Sequence, residues 1–301
     1  MPSGILLLDK PLGLSSNSAL QRVRRLLGGV KAGHAGSLDP LATGMLPICL
    51  GEATKIVGDI VSGEKRYRFT VSLGARTATG DAEGEVTARA AVPVLSRAAV
   101  EAVLAGFLGP QSQVPPMYSA LKQGGAPLYR LARAGRTVER EARTIEIRAL
   151  ELRELRADSL ELEARCSKGT YIRVLAEDIA ARLGTLGFVT ALRRLAVEPF
   201  ADQPMQTLES LEEACARGEG PVLLPVDLPL RHLPPVALVA ASVARLLKGQ
   251  TVPTGPDAAR LEAGTRVRLY DEAGGFLGVG ITDGAGAVRP KRLLNPRGAG
   301  S

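Results

Sequence analysis

Residues 143–166 constrain the fold of this chain more than any other stretch. Ile145, Ile147, Leu150 and Leu152 are spaced as one face of a strand, and Leu160, Leu162 and Ala164 repeat the pattern after Asp158-Ser159. This predicts a long antiparallel hairpin, 143–156 with 159–166. A ribbon of that length must bury its apolar face against other elements. Further strands are predicted at 4–8, 66–73 and 188–196. Helical spacing starts at Ser15 or Ser16 and carries Leu20, Val23, Leu26 and Leu27 up to Gly28-Gly29. Two more helices are predicted, over 97–108 and from the 166–173 segment to Leu183. The two periods interleave along the chain, which gives a mixed sheet with helices of the α+β class.

The proline-rich stretch from Pro221 to Pro235 reads as a linker. Beyond it, 236–248 reads as a short helix and 265–294 as short strands. Asp271-Glu-Ala-Gly-Gly275 and Asp283-Gly284 are turn signals between those strands. The expected organisation is a main domain at 1–230 and a small β-rich module at 236–301.

Composition narrows the function. The chain has 301 residues, 45% hydrophobic and 23% charged, which suits a folded protein. Its net charge of +7 points to a polyanionic partner, nucleic acid or an anionic membrane surface. No apolar run approaches the ~18 residues of a membrane span. Cys49, Cys166 and Cys215 are odd in number and far apart, as expected in a reducing cytoplasm. With only His34 and His232 and no zinc spacing, no metal is expected. Walker, Gly-x-Gly-x-x-Gly and Gly-x-Ser-x-Gly motifs are missing, so no nucleotide or dinucleotide cofactor is expected.

Four clusters carry candidate chemistry. From Gly33 to Pro47 no period holds, and a long ordered loop is predicted; such loops are usually functional. Within it, Pro40 stiffens the backbone at Asp39 and removes a nearby amide. An isolated Asp-Pro is ordinarily a turn cap, but His34, Gly36, Thr43 and Gly44 crowd the same segment. The second cluster is Ser167-Lys168-Gly169-Thr170-Tyr171-Ile172-Arg173 at a strand-to-helix junction. Its amides suit a phosphate, and Arg173 suits a carboxylate; a solvated basic turn is the plainer alternative. The third is Lys65-Arg66-Tyr67-Arg68, an aromatic flanked by cations that can stack a base while holding phosphates, or else an ordinary strand tyrosine. The fourth runs over 121–148, where seven basic residues (Lys122, Arg130, Arg133, Arg136, Arg140, Arg143, Arg148) outnumber three acidic ones. With Gly124, Gly125 and Gly135 it reads as a mobile arm for an RNA backbone, or as a solvated helix face.

These motifs also carry a resemblance. Gly4-Ile-Leu-Leu-Leu-Asp-Lys-Pro11, Gly33-His-Ala-Gly-Ser-Leu-Asp-Pro-Leu-Ala-Thr-Gly-Met-Leu-Pro47, Lys65-Arg-Tyr67, Met117-Tyr-Ser-Ala-Leu-Lys122, Cys166–Arg173 and Leu192-Arg-Arg-Leu195 occur in this order. In them the chain resembles the bacterial TruB family of tRNA pseudouridine-55 synthases over nearly its whole length. The resemblance implies that Asp39 is the catalytic aspartate, that Tyr67 stacks on the target base and that Arg173 pairs with Asp39. It implies that His34 props the RNA loop after the base has flipped out. Tyr171 and Leu192 would line the uracil pocket, with Lys10 nearby and Leu38 helping to keep it dry. The tail from about Val236 resembles a PUA domain.

The implied reaction breaks the N1–C1′ bond of a uridine in the T stem-loop of tRNA and rejoins the ring through C5, with no cofactor. The expected enzyme is a cytoplasmic monomer that needs no protein partner. One departure stands out: family members often have Arg-Thr-Asp-Thr where this chain has Arg76-Thr-Ala-Thr79, so Ala78 offers no carboxylate, though Asp81 is kept. Two other functions remain open at this point, an RNA-binding or RNA-folding protein without catalysis and a subunit of a guide-RNA particle.

Overall fold

The computed structural model describes residues 3–254 and 260–295; the remainder of the expected 236–301 module lies outside the described residues. The chain begins with β1 (Gly4–Lys10), α1 (Ser16–Leu26), β2 (Ala32–His34), β3 (Ala42–Leu50), α2 (Val57–Val61) and β4 (Lys65–Leu73). It continues with β5 (Ala75–Thr77), β6 (Val86–Arg89), α3 (Arg97–Ala105), β7 (Gly109–Gln113), β8 (Lys122–Gln123), β9 (Ala126–Pro127) and α4 (Leu128–Arg133). Next come β10 (Arg143–Leu155), β11 (Ser159–Cys166), α5 (Ile172–Arg182), β12 (Gly187–Val197) and α6 (Leu208–Ala216). The last elements are β13 (Pro235–Leu238), α7 (Ala240–Leu246), β14 (Val252–Pro253), β15 (Arg266–Asp271), β16 (Phe276–Thr282) and β17 (Ala287–Leu293).

The main sheet has eight strands in the order β1-β3-β12-β4-β11-β10-β7, with β2 paired to β3. All neighbours are antiparallel except β12 with β3, which run parallel over Ala42–Gly44. One edge of β3 is therefore shared. Its first residues pair with β12, and its last three with β2 through His34↔Ile48 and Ala32↔Leu50. The 143–166 hairpin forms as predicted and sits between β4 and β7.

Burial explains the continuous apolar run at the N-terminus. Leu6 and Leu8 join a core with Leu20 and Val23 of α1, Phe69 of β4 and Ile179 of α5. Ile5 and Leu7, one residue out of phase, join a second core with Met45, Phe200 and Leu230. A strand covered on both faces has no polar positions to alternate with. Each such side chain contributes on the order of 1.5–3 kcal/mol of burial.

Four expectations needed revision. The predicted loop 33–47 is largely strand, and only residues 35–41 lie between β2 and β3; sheet pairing on both edges of β3 overrode the absent periodicity. The 221–235 stretch is not a free linker. Leu224 exchanges main-chain hydrogen bonds with Ile5 at 3.0 and 2.9 Å, and Leu228, Leu230 and Leu233 are buried in the second core. The stretch 236–248 is a strand and then a helix, because Val236 and Leu238 alternate onto the smaller sheet. The polar segment from Arg76 to Gly84, whose composition predicts a turn region, begins as strand, since β5 pairs with β6.

The C-terminal sheet has five strands in the order β13-β15-β16-β17-β14 and its own small core. Asp271 Oδ1 accepts from the amides of Ala273 and Gly275, and Asp283 Oδ1 from those of Ala285 and Ala287, which fixes both predicted turns. This sheet docks on the main domain. Arg266 pairs with Asp59 at 2.7 Å, Lys55 Nζ donates to the Leu293 carbonyl at 2.9 Å, and Val279 enters the second core.

Gly44 is a tight point in this packing. Its φ is +97°, and a Cβ there would stand 2.2 Å from the Arg194 carbonyl oxygen of β12. Gly44→Ala is expected to lower stability by about 2–3 kcal/mol, measured by urea unfolding. A loss of under about 0.5 kcal/mol, the range of ordinary surface changes, would show that β3 and β12 separate easily.

Candidate active site

Asp39 sits on the loop between β2 and β3, and that loop is held from three sides. Ser15 caps α1 by accepting from the Ser18 amide at 3.0 Å. Its neighbour Ser16 is turned inward, accepting from the Leu38 amide at 2.7 Å and donating to the Leu38 carbonyl at 3.0 Å. The Lys10 ammonium, buried at the end of β1, donates to the carbonyls of Leu14 at 2.6 Å, Pro11 at 2.8 Å and Pro40 at 3.4 Å. The Asp39 carbonyl accepts from the Ala42 amide at 3.0 Å, so the residue does close a turn, as an Asp-Pro ordinarily does. Its side chain faces elsewhere.

The Asp39 carboxylate meets Arg173. Nε of Arg173 is 3.0 Å from Asp39 Oδ2 and 3.6 Å from Asp81 Oδ2. Nη1 donates to the Thr79 carbonyl at 2.7 Å and Nη2 to the Tyr118 carbonyl at 2.6 Å. The guanidinium is 5% exposed, whereas the Asp39 side chain is 40% exposed. One end of the pair is thus fixed in protein and the other is presented to solvent. Burial raises the Asp39 carboxyl above its usual 3.8; the Arg173 charge opposes the rise, and Asp81 adds to it. An arginine partner alone would lower that carboxyl. Here desolvation outweighs it.

Two cavities meet at this carboxylate. The smaller, about 350 Å³, is lined by Leu38, Asp39, Tyr67, Tyr171, Arg173 and Leu192, with Lys65, Lys168 and Arg194 also on its wall. The larger, about 910 Å³, contains His34, Leu38, Asp39, Asp81, Glu83, Tyr129, Arg133 and Arg173. Both volumes lie in the range of ligand pockets. Seven of the eight residues singled out in the sequence therefore line one or both cavities. Lys10 does not; its ammonium lies among the carbonyls beneath the loop. Burial lowers it to about 8, with Asp39 and Glu83 acting against that shift.

Other features of the sequence clusters rearrange in space. In β4, period-two alternation buries Lys65 and Tyr67 on one face and exposes Arg66 and Arg68 on the other. The two arginines pair there with Glu161 and Glu163, so they are not positioned to hold phosphates around a base stacked on Tyr67. At the start of α5 the Tyr171 amide is taken by Gln113 Oε1 at 2.8 Å, which leaves less of the phosphate nest expected there. The basic 121–148 stretch divides into a short hairpin, α4 and the first half of β10. From it, Tyr129 and Arg133 reach the larger cavity.

Three contributors have no role assigned by the sequence. Asp81 is buried, accepts from Thr79 Oγ1 at 2.5 Å and from the Glu83 amide at 3.1 Å, and lies beside Arg173. It closes the loop in which Ala78 departs from the family pattern, and Ala78 itself takes part through its amide, which donates to Glu85 O at 2.9 Å. Ser16 was visible only as one of two possible caps. Arg194 lay inside a quoted motif, but nothing in a sequence tells which of two adjacent arginines points inward.

Comparison with known proteins decides the family. The model of the TruB family pseudouridylate synthase N-terminal domain matches residues 24–172. Two TruB C-terminal models match 173–231 and 234–294. A tRNA pseudouridine synthase B from Chromohalobacter salexigens is 51% identical over 97% of this chain and 94% of its own. One from Pseudomonas putida is 50% identical over 97% and 95%. The chain belongs to the TruB family of pseudouridylate synthases. It is therefore an isomerase that converts uridine to pseudouridine. Among solved structures, a chain of a Cbf5-Nop10-Gar1 complex shares the fold with a TM-score of 0.72 at 24% identity, over 98% of this chain and 85% of that one. A chain of an H/ACA RNP bound to a substrate RNA containing 2′-deoxyuridine gives 0.71 at 22%, over 98% and 86%.

Two measurements probe the TruB site. Because Asp39 is raised, its ionised form is lost at a higher pH than for a free aspartate. The acid limb of kcat/KM is expected above 3.8; a limb at or below that value would show that Arg173 dominates the carboxylate. Arg173→Lys removes the planar fork that reaches Asp39, Thr79 and Tyr118 together. It is expected to lower single-turnover rates by on the order of 10²-fold.

Proposed function

We propose that this enzyme isomerises the uridine at position 55 in the T loop of tRNA. The reading rests on one observation: an oriented carboxylate at the junction of a small and a large cavity. The extruded base would enter the smaller cavity between Tyr67, Tyr171 and Leu192. Its ribose would sit at Asp39, and the rest of the loop would occupy the larger cavity beside His34. Flipping costs a few kcal/mol, which stacking and pocket contacts offset. Leu38 and Leu192 limit the access of water to the cleaved sugar.

In this reading Asp39 acts on the positive charge that develops at C1′ as the N1–C1′ bond breaks. Arg173 keeps the carboxylate oriented, and Tyr67 stacks on the ring and assists removal of the C5 proton. Lys10 acts from beneath, by fixing the Asp39 turn. The rearrangement leaves the redox state unchanged, so its balance calls for no cofactor. The basic 121–148 segment and the PUA-like C-terminal sheet extend the RNA contact. A net charge of +7 favours that contact. We place the enzyme in the cytoplasm as a monomer; its three cysteines are unpaired, and no helix among the described residues is long and apolar enough to cross a membrane.

The test is tritium release from a T-arm RNA carrying C5-tritiated uridine at position 55, with purified protein and no guide RNA. Wild type is expected to release tritium, and Asp39→Asn to fall by at least about 10³-fold while still binding the RNA. Equal activity of the two proteins would remove Asp39 from the chemistry. Release only in the presence of a guide RNA would favour the particle-subunit reading.

A further inference from the structure

The wall of the smaller cavity holds an unusual charge pattern. Three cations are buried there: Arg173, Arg194 and Lys65. Arg173 has its carboxylates. Arg194 is 1% exposed and makes no ion pair among the described residues. Its Nε donates to the Met45 carbonyl at 2.7 Å and Nη2 to the Gly36 carbonyl at 3.1 Å. Lys65 is likewise held only by carbonyls, those of Val61 at 2.6 Å and of Gly63. Carbonyl dipoles orient a cation without neutralising it, and an uncompensated buried charge is expensive. Asp39 is the one carboxylate on this wall, and Arg173 already engages it.

The reaction supplies a missing counter-charge. When N1–C1′ breaks, both bonding electrons leave with N1 and positive charge stays on the sugar. The detached ring is then a uracil anion. It remains so until C5 bonds to C1′, after which the C5 proton departs and N1 takes up a proton. We propose that Arg194, together with Lys65, is the electrostatic acceptor for this departing uracil anion, while the Asp39 carboxylate meets the positive sugar. Groups of opposite charge lining one cavity would then stabilise the two halves of one separating charge pair.

Other observations agree. The guanidinium carries five N–H donors. Two serve the carbonyls of Met45 and Gly36, so donors remain for a ring oxygen. Tyr67 adjoins Arg194 in the sheet register, which places a base stacked on that ring next to the guanidinium. The field of Arg194 also works against protonation of His34, Lys10 and Lys65, so its charge is felt throughout the site.

This inference rests on the uridine-isomerase reading above. The test measures single-turnover cleavage of the N1–C1′ bond in T-arm RNA carrying either uridine or 5-fluorouridine at the target. Fluorine makes the departing anion more stable by itself, so it needs less help from the protein. In the full chain, Arg194→Met is expected to slow uridine cleavage by on the order of 10²-fold and to slow 5-fluorouridine cleavage by about tenfold less than that. Arg194→Lys, which keeps the charge, should fall between wild type and Arg194→Met. Equal losses on both substrates would assign Arg194 a purely structural role and overturn the proposal. Should Arg194→Met fail to fold, wild type decides: barbiturate, a planar anion shaped like uracil, must inhibit at a lower concentration than neutral uracil. Inhibition by uracil at equal or lower concentration would overturn the proposal. Absence of wild-type turnover on uridine would instead overturn the T-arm reading, and the inference with it.

Discussion

Arg173 gathers four groups from three separate parts of the chain around one guanidinium: the Asp39 carboxylate, the Thr79 carbonyl and Asp81 carboxylate, and the Tyr118 carbonyl. Three different pieces of the fold bring them there. The 35–41 loop leaves β2, the 77–84 loop leaves β5, and Tyr118 precedes the short β8–β9 hairpin. A buried arginine held by two carbonyls cannot swing away without leaving both unpartnered. The carboxylate beside it therefore inherits a fixed direction, although much of its own surface is open. Desolvation and Asp81 simultaneously make that carboxylate less acidic, so orientation and basicity are set by different neighbours.

The sheet performs a sorting role around this centre. In β4 it sends Tyr67 and Lys65 inward and Arg66 and Arg68 outward; in β12 it sends Arg194 inward and Arg193 to Asp9 on the other face, at 2.9 and 2.7 Å. Adjacent basic residues thus acquire unrelated surroundings. The Asp9–Arg193 pair is partly exposed and ties β1 to β12 across β3, a structural clasp with no share in either cavity.

Much of the fold was legible because its signals were local. The 143–166 hairpin, the helix begun at Ser15 and the two Asp-Gly-type turns of the small sheet rest on spacing and capping that act within a few residues. Most of the candidate site was legible from motifs, because those motifs converge on the Asp39 cavities. The illegible parts were long-range. The 33–47 segment lacks a period because β3 is buried on both faces, and Leu224 joins Ile5 across more than two hundred residues. Asp81 and Arg194 look like ordinary charged residues until the loops and strands that surround them are assembled. Lys10, expected near the uracil pocket, lies beside the Asp39 turn with its ammonium on three carbonyls, a placement its position in the sequence does not give.

The shared edge of β3 has a further consequence for how such a chain can diverge. The segment 35–41 is fastened at His34 to Ile48 and at Ala42 to Leu192, two points on strands of one sheet. Adding or deleting a residue between them must either slip one pairing by a single position, turning every following side chain to the opposite face, or deform the loop and displace Asp39 from Arg173. Substitutions there can be absorbed one at a time, but insertions and deletions cannot. The distance between aspartate and sheet is in effect a ruler, graduated in whole residues and closed at both ends.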